Sequence, residues 1–191
     1  MKARLHLICA AATPATAAMA FPADEPLDAR GRDSIVRLVG RLPSHDAAQR
    51  SPARSAADTA EALALDAQTE PALRDCDFGR WAGRSLAEVQ AETPEGVAAW
   101  LRDPHAAPHG GESFTDVTTR VAGWMESLLA VDSSVLAITH ATVMRAAIAQ
   151  AIGAGPAAFR RIDVAPLTRA RLSAVGGRWT LAALVPLKDE R

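Results

Sequence analysis

One stretch, Val135 to Arg145 (Val-Leu-Ala-Ile-Thr-His-Ala-Thr-Val-Met-Arg), constrains the fold more than any other. Four consecutive apolar residues, Val135 to Ile138, read as a short strand buried on both faces. From Ala141 to Ile152 the apolar residues Val143, Met144, Ala147, Ile148, Ala151 and Ile152 recur at helical spacing. Between them stands His140. A histidine at the point where a buried strand becomes a helix lies at the carboxyl edge of an α/β sheet, where such folds place ligands and chemistry. The helix start beside it offers free backbone N–H groups that favour an anion.

The rest of the chain extends the pattern. Arg4 to Cys9 reads as a first strand running into the small-residue turn Ala10-Ala11-Ala12-Thr13. Lys2 and Arg4 ahead of an apolar Leu5–Ala12, with Ala18-Met19-Ala20 downstream, also resemble a signal peptide. His6 within the segment and Pro14 after it favour a core strand, and with it a cytoplasmic protein. Phe21 to Arg32 reads as a loop. Asp33 or Ser34 is expected to cap a helix closed by Gly40. Ser51-Pro52 is expected to start another, with proline in its first turn, ending near Leu65. Pro71 to Cys76 is read as a short strand. Ser85 and Glu88 make a capping box, and Thr93 to Leu101 is a short helix. Ser113 or Thr115 caps a helix to Leu129, with Val117, Val121, Trp124, Met125 and Leu128 on its core face. Arg169–Ala174 and Arg178–Val185 read as paired strands about Gly176-Gly177. Strands alternating with helices in this way predict a three-layer α/β/α sandwich with a mostly parallel central sheet. At 191 residues the chain is expected to form one domain, residues 1–191.

Charge and cysteine content exclude several functions. A net charge of -1 leaves no electrostatic footprint for nucleic acid, and no run of 18 apolar residues predicts a membrane span. The two cysteines, Cys9 and Cys76, form neither a CxxC pair nor a zinc spacing. No metal or other cofactor is expected, and the oligomeric state is not legible.

Five segments, in order, resemble the histidine phosphatase superfamily, the phosphoglycerate-mutase-like fold. They are Leu5–Thr13, where that family has a first strand and an Arg-His-Gly turn; Ser51-Pro52 with Thr59-Ala60-Glu61-Ala62-Leu63; Leu73–Gly83, containing Asp-Phe-Gly-Arg-Trp-Ala-Gly; Gly110-Gly111-Glu112-Ser113-Phe114; and Thr139–Arg145. The resemblance implies a cationic cleft that takes a small phosphate ester. There the first-turn histidine attacks phosphorus, two arginines and a second histidine hold the oxygens, and a carboxylic acid protonates the leaving alcohol. Phosphoryl transfer depends mainly on positioning and on stabilising spread negative charge.

Aligned on those motifs, this chain departs from the family's residues. Cys9 stands at the first arginine position, Ala10 at the nucleophile and Ala11 at the glycine. Ser55 stands at the second arginine position, Asp75 at the acid, and His140 matches the second histidine. Losing a unit-acting nucleophile costs on the order of 10⁶ in rate, and each missing charged hydrogen-bond partner roughly 1.5–3 kcal/mol. The expectation is a pseudoenzyme that binds a small ligand or a partner through a vestigial cleft. Its catalytic remnants are His140 and Asp75, with Cys9, Thr13, Arg54, Ser55, His109, Glu112 and Ala141 as binding residues. The alternative is a phosphomonoesterase or repurposed enzyme rearranged around His140, Asp75 and Glu112. In that case Cys9 is a candidate thiolate, Arg54 a candidate replacement cation across about 100° of helix rotation, and His109 a candidate donor or base, although a loop histidine is expected to face solvent. Asp77 is expected to cap the turn before Phe78-Gly79, and Glu112 to favour the following helix through its dipole.

Overall fold

A computed structural model describes residues 2–36 and 38–187. Its six strands are β1 (Lys2–Cys9), β2 (Ala47–Arg50), β3 (Gln68–Thr69), β4 (Ser134–Thr139), β5 (Thr168–Val175) and β6 (Arg178–Pro186). They form one sheet in the order β3-β2-β4-β1-β5-β6. The pairings among β1, β2, β3 and β4 are parallel, whereas β5 and β6 run antiparallel to their neighbours. Helices α1 (Pro14–Ala18), α2 (Ala29–Val36), α3 (Arg54–Ala62), α4 (Leu86–Glu92), α5 (Pro94–Arg102), α6 (Phe114–Leu128) and α7 (Ala141–Ala151) cover it. None of the described helices is long and apolar enough to cross a membrane.

The apolar run at Val135–Ile138 has the cause expected of a strand buried on both faces. Val135 and Ala137 enter one core with Leu5 and Leu7 of β1, beneath α6 and α7. Leu136 and Ile138 enter a second core with Ile8, Ile35, Ala56 and Ala60, beneath α2 and α3. The sheet is therefore the middle layer of an α/β/α sandwich. The signal-like N-terminus supplies its central strand.

The helix starts follow local hydrogen bonding. Ser85 and Glu88 close a capping box at α4, and Ser113 and Asp116 close another at α6. Other boundaries move. The second helix begins at Ala29, not at Asp33 or Ser34, because Asp28 Oδ1 accepts the Gly31 N–H at 2.6 Å. Gly31 also lies so close to the first turn that a Cβ there would stand 2.2 Å from the Ala12 carbonyl oxygen. Pro52 lies outside α3, which begins at Arg54 after an extended Ala53. Pro71–Leu73 is a 3-10 turn and not a strand. Glu70 caps it by accepting the Ala72 N–H at 2.8 Å, and the strand pairing is confined to Gln68–Thr69. Strand β2 (Ala-Ala-Gln-Arg) was not foreseen, since none of its residues is β-branched or aromatic.

His6 sits inside β1, 8 % exposed, and its Nδ1 has no hydrogen-bond partner among the described residues. Burial first, then the charges of Arg169, Arg171, Arg4 and His45, lower its pKa from 6.5 to about 4. The unfolded chain therefore takes up a proton below pH about 6.5 that the folded chain refuses, and stability falls with pH until about 4. Denaturant titrations across that window are expected to show this slope, and His6→Leu to flatten it. An unchanged slope in the variant would refute the assignment to His6.

Candidate functional site

The sheet places the site by register. Cys9 pairs with Thr139 at the parallel ends of β1 and β4. Just beyond, the Ala10 N–H donates to the Thr139 carbonyl at 2.7 Å and the Ser51 N–H to the Ile138 carbonyl at 2.9 Å. The exits of β1, β2 and β4 thus converge, and a cleft of about 470 Å³ opens there. Of the residues anticipated from sequence, Cys9, Ala10, Thr13, Ser55, Asp75, His140 and Ala141 all line it.

His140 precedes the first turn of α7 with an extended backbone and is 9 % exposed. Its Nε2 shares a 2.8 Å hydrogen bond with Ser51 Oγ, and its Nδ1 faces Asp75 Oδ2 at 3.7 Å, beyond hydrogen-bond length. Asp75 Oδ1 accepts its neighbour Cys76's N–H at 2.8 Å. The row Ser51–His140–Asp75 has the residue types of a hydrolytic triad, but Ser51 is fully buried and its Oγ also accepts the Ala53 N–H. Ser51 therefore fixes the imidazole and cannot reach a substrate. The Ser51-Pro52 motif was noted in the sequence, but nothing there linked its hydroxyl to His140.

The first turn is held from α3. The Ala11 N–H donates to Thr59 Oγ1 at 3.1 Å, and that hydroxyl donates to the Ser55 carbonyl at 2.7 Å. Thr13 Oγ1 donates to Glu25 Oε1 at 2.7 Å, so an acidic side chain from the following loop borders the cleft. Burial favours the neutral acid, but hydrogen bonds from the Ala23 N–H, then the Thr13 hydroxyl and further backbone N–H groups outweigh it and hold the Glu25 pKa below its ordinary value. Asp24 lines the same wall and accepts the Arg54 N–H at 2.7 Å.

Three anticipated residues are placed elsewhere. Arg54 is exposed at the start of α3 and does not line the cleft, so one residue of helix rotation carries its guanidinium away. His109 neither lines the cleft nor faces solvent. It is 1 % exposed and packs edge-on against Phe78 and Trp81, with Nδ1 accepting the Gly111 N–H at 3.1 Å. Burial lowers its pKa. Glu112 acts as a brace and not as a helix-dipole partner. It receives Arg74 at 2.7 Å and a two-pronged contact from Arg120 at 2.9 and 3.0 Å. Arg74, overlooked in the sequence, is the arginine that lines the cleft.

Asp77 caps its turn as expected, accepting the Gly79 N–H at 2.8 Å. Around it the 75–83 and 103–111 loops interlock. The Arg80 N–H donates to the His109 carbonyl, and a Cβ on Gly111 would stand 2.0 Å from the Asp77 carbonyl oxygen. No three His, Cys, Asp or Glu side chains group to hold a metal among the described residues.

Burial pushes the Cys9 thiol up to about 12, and nearby Asp75 adds to it. Arg145 and the Ala141 backbone oppose the shift without reversing it. Burial raises Cys76 as well. Burial thus disfavours the thiolate form of both, which weighs against Cys9 as a replacement nucleophile. Neither thiol is expected to react with a disulfide reagent in the native protein at mildly alkaline pH, and both should titrate after unfolding. A rapidly labelled native thiol would overturn this. Glu112→Ala strands the largely buried Arg120 and is expected to cost about 3 kcal/mol of stability, the low end for breaking a buried ion pair, measurable by denaturant titration.

The histidine phosphatase superfamily (branch 1) matches residues 5–185. A bifunctional protein of Mycobacterium tuberculosis is 36% identical over 134 residues, 66% of this chain and 37% of that protein. The chain thus corresponds to little more than a third of the length of the first curated relatives it matches. A glucosyl-3-phosphoglycerate phosphatase of the same species is 37% identical over 81 residues, 40% of this chain and 36% of that protein. Among solved structures, the alpha-ribazole phosphatase of Shigella flexneri superposes with a TM-score of 0.86 at 26% identity, covering 98% of this chain and 100% of that one. A mycobacterial glucosyl-3-phosphoglycerate phosphatase complexed with VO3 superposes with a TM-score of 0.82 at 26% identity, covering 97% and 99%.

Proposed function

The chain belongs to the histidine phosphatase superfamily, and from that premise we propose that it is a pseudoenzyme, binding a small ligand in the cleft without transferring phosphoryl groups. The observation that carries this reading is the side chain beside His140 at the end of β1. Ala10 offers a methyl group where the resemblance expects an attacking imidazole, and it lines the cleft at that point. A methyl group has no lone pair to attack phosphorus and no proton to relay.

The charges lining the cleft support the same reading. Asp24, Glu25 and Asp75 face it, and Arg74 is the cation among them. Ser55, the residue at the family's second arginine position, adds a hydroxyl and no charge. Spread negative charge on a phosphoryl group in transit needs converging cations, and this wall supplies mostly carboxylates. His140 remains on the cleft wall, held in one orientation by Ser51, with Asp75 facing its other nitrogen.

A second reading, a phosphomonoesterase rearranged around His140, Asp75 and Glu112, draws support from Arg74 on the cleft wall. Glu112 claims that guanidinium at 2.7 Å, which leaves it poorly placed to release a full charge to a substrate. Purified protein is expected to release no phosphate above background from p-nitrophenyl phosphate, glucosyl-3-phosphoglycerate or alpha-ribazole phosphate. His140→Ala should leave that background unchanged. Turnover that falls on His140→Ala would overturn the pseudoenzyme reading in favour of the rearranged enzyme.

A further inference from the structure

Beside the cleft, and separated from it by Pro22, lies a second cavity of about 250 Å³. Its character is opposite. Phe21, Phe78, Trp100, Phe114 and Phe159 wall it, and among the described residues no aspartate or glutamate lines it. Ring centroids 4.5 Å apart for Phe114–Phe159 and 5.4 Å for Trp100–Phe114 make that wall a continuous aromatic surface.

Two arginines converge on it. Arg145, from the second turn of α7, donates its Nε–H to the Ile162 carbonyl at 2.9 Å, and its guanidinium lies 6.0 Å from the Phe159 ring centre. Arg160 lies over Trp100 at 4.5 Å and over Phe114 at 5.0 Å, and donates to the Trp100 carbonyl at 2.6 Å. Neither has a carboxylate partner among the described residues. Burial, then the charge of Arg145, depresses the Arg160 pKa, the mark of two like charges sharing a partly desolvated space.

A third polar group points to the same cavity. Thr142, in the first turn of α7, lines it and is 8 % exposed, and its hydroxyl has no hydrogen-bond partner among the described residues. An unpartnered hydroxyl on a cavity wall is free to donate to, or accept from, a ligand there.

We propose that this cavity is a binding site for a small aromatic carboxylate, its ring against Phe21 and Phe78 and its carboxylate between Arg145, Arg160 and the Thr142 hydroxyl. Arginine's planar fork matches a carboxylate, and the first turn of α7 adds a favourable dipole. The volume falls below the roughly 300–1,000 Å³ of drug-sized pockets, which limits the ligand to about one ring. A neutral ring leaves the two guanidiniums unneutralised, and an organic cation adds a third like charge. The site stands apart from the pseudoenzyme reading, since no cleft residue invoked there takes part in it.

Benzoate is the probe, with benzyl alcohol and benzylamine as isosteric controls, measured by calorimetry and tryptophan fluorescence on the full chain. Benzoate is expected to bind saturably and at least tenfold more tightly than either control. Arg160→Gln, at an exposed position, should weaken benzoate at least tenfold and leave benzyl alcohol within twofold. Thr142→Val should weaken benzoate several-fold. Arg74→Gln, on the wall of the main cleft and not of this cavity, should leave benzoate unchanged. Absence of saturable benzoate binding, equal affinity for the three probes, or a loss caused by Arg74→Gln and not by Arg160→Gln would each overturn the proposal. Should Arg160→Gln fail to fold, the comparison of the three probes on the unsubstituted protein decides the question.

Discussion

The parallel pairing of β1 with β4 is the constraint from which the rest of the site follows. Its register ends on Cys9 opposite Thr139, so the residues that leave the two strands, Ala10 and His140, emerge side by side. Both strands are buried on both faces, and their side chains alternate between two separate cores. A one-residue slip would exchange every side chain between those cores, so the register is fixed by packing far from the cleft. The backbone at the cleft then has little freedom. Ala10 N–H is committed to Thr139, Ala11 N–H to Thr59 and Ser51 N–H to Ile138. Chemistry at this edge can change only through side chains on a rigid frame.

That separation leaves the frame indifferent to which small side chains line the site. Cys9, Ala10 and Ser55 are small, buried and apolar or nearly so, and they pack where the frame requires. A small residue at such a position leaves the backbone hydrogen bonds intact and brings no charge to the cleft. The carboxylates of Asp24, Glu25 and Asp75 stand on the wall beside them. Arg74 is drawn the other way, into the brace that Glu112 makes with Arg120. The brace ties the loop carrying Asp75 to the start of α6, so Asp75 stays beside His140 while the cation is held at the rim.

Legibility in the sequence tracked the range of the interaction concerned. Strands β1 and β4 and helices α6 and α7 carry apolar patterns, with a local cap at α6, and are readable to within a few residues. Strand β2 was not, because Ala47–Arg50 is extended by its partners β4 and β3 and not by its own composition. At the site, motif order placed Ala10, Ser55, Asp75 and His140 on one cleft. It could not show that His109 folds inward against Phe78 and Trp81, because that packing joins residues about 30 positions apart. Nor could it show that Ser51 reaches His140 across 89 positions. Arg74 was passed over because its partner, Glu112, lies on a different loop. Arg145 and Arg160 were passed over for the same reason: their meeting depends on how the 3-10 turn at Pro156–Arg161 folds back on α7.

The two cavities share the loop after α1, with Pro22 in the wall of each, yet their charges oppose. Helix α7 accounts for part of the contrast. Successive residues of its first turn diverge by about 100°, so His140 and Ala141 face the cleft while Thr142 and then Arg145 face the aromatic cavity. One helix start therefore serves two sites. In the cleft its positive end is met by the Asp75 carboxylate, which the chain supplies itself. In the aromatic cavity no acidic side chain among the described residues meets it, and two guanidiniums add to its sign. An internal carboxylate already answers the field on one side; on the other the field is left for a ligand.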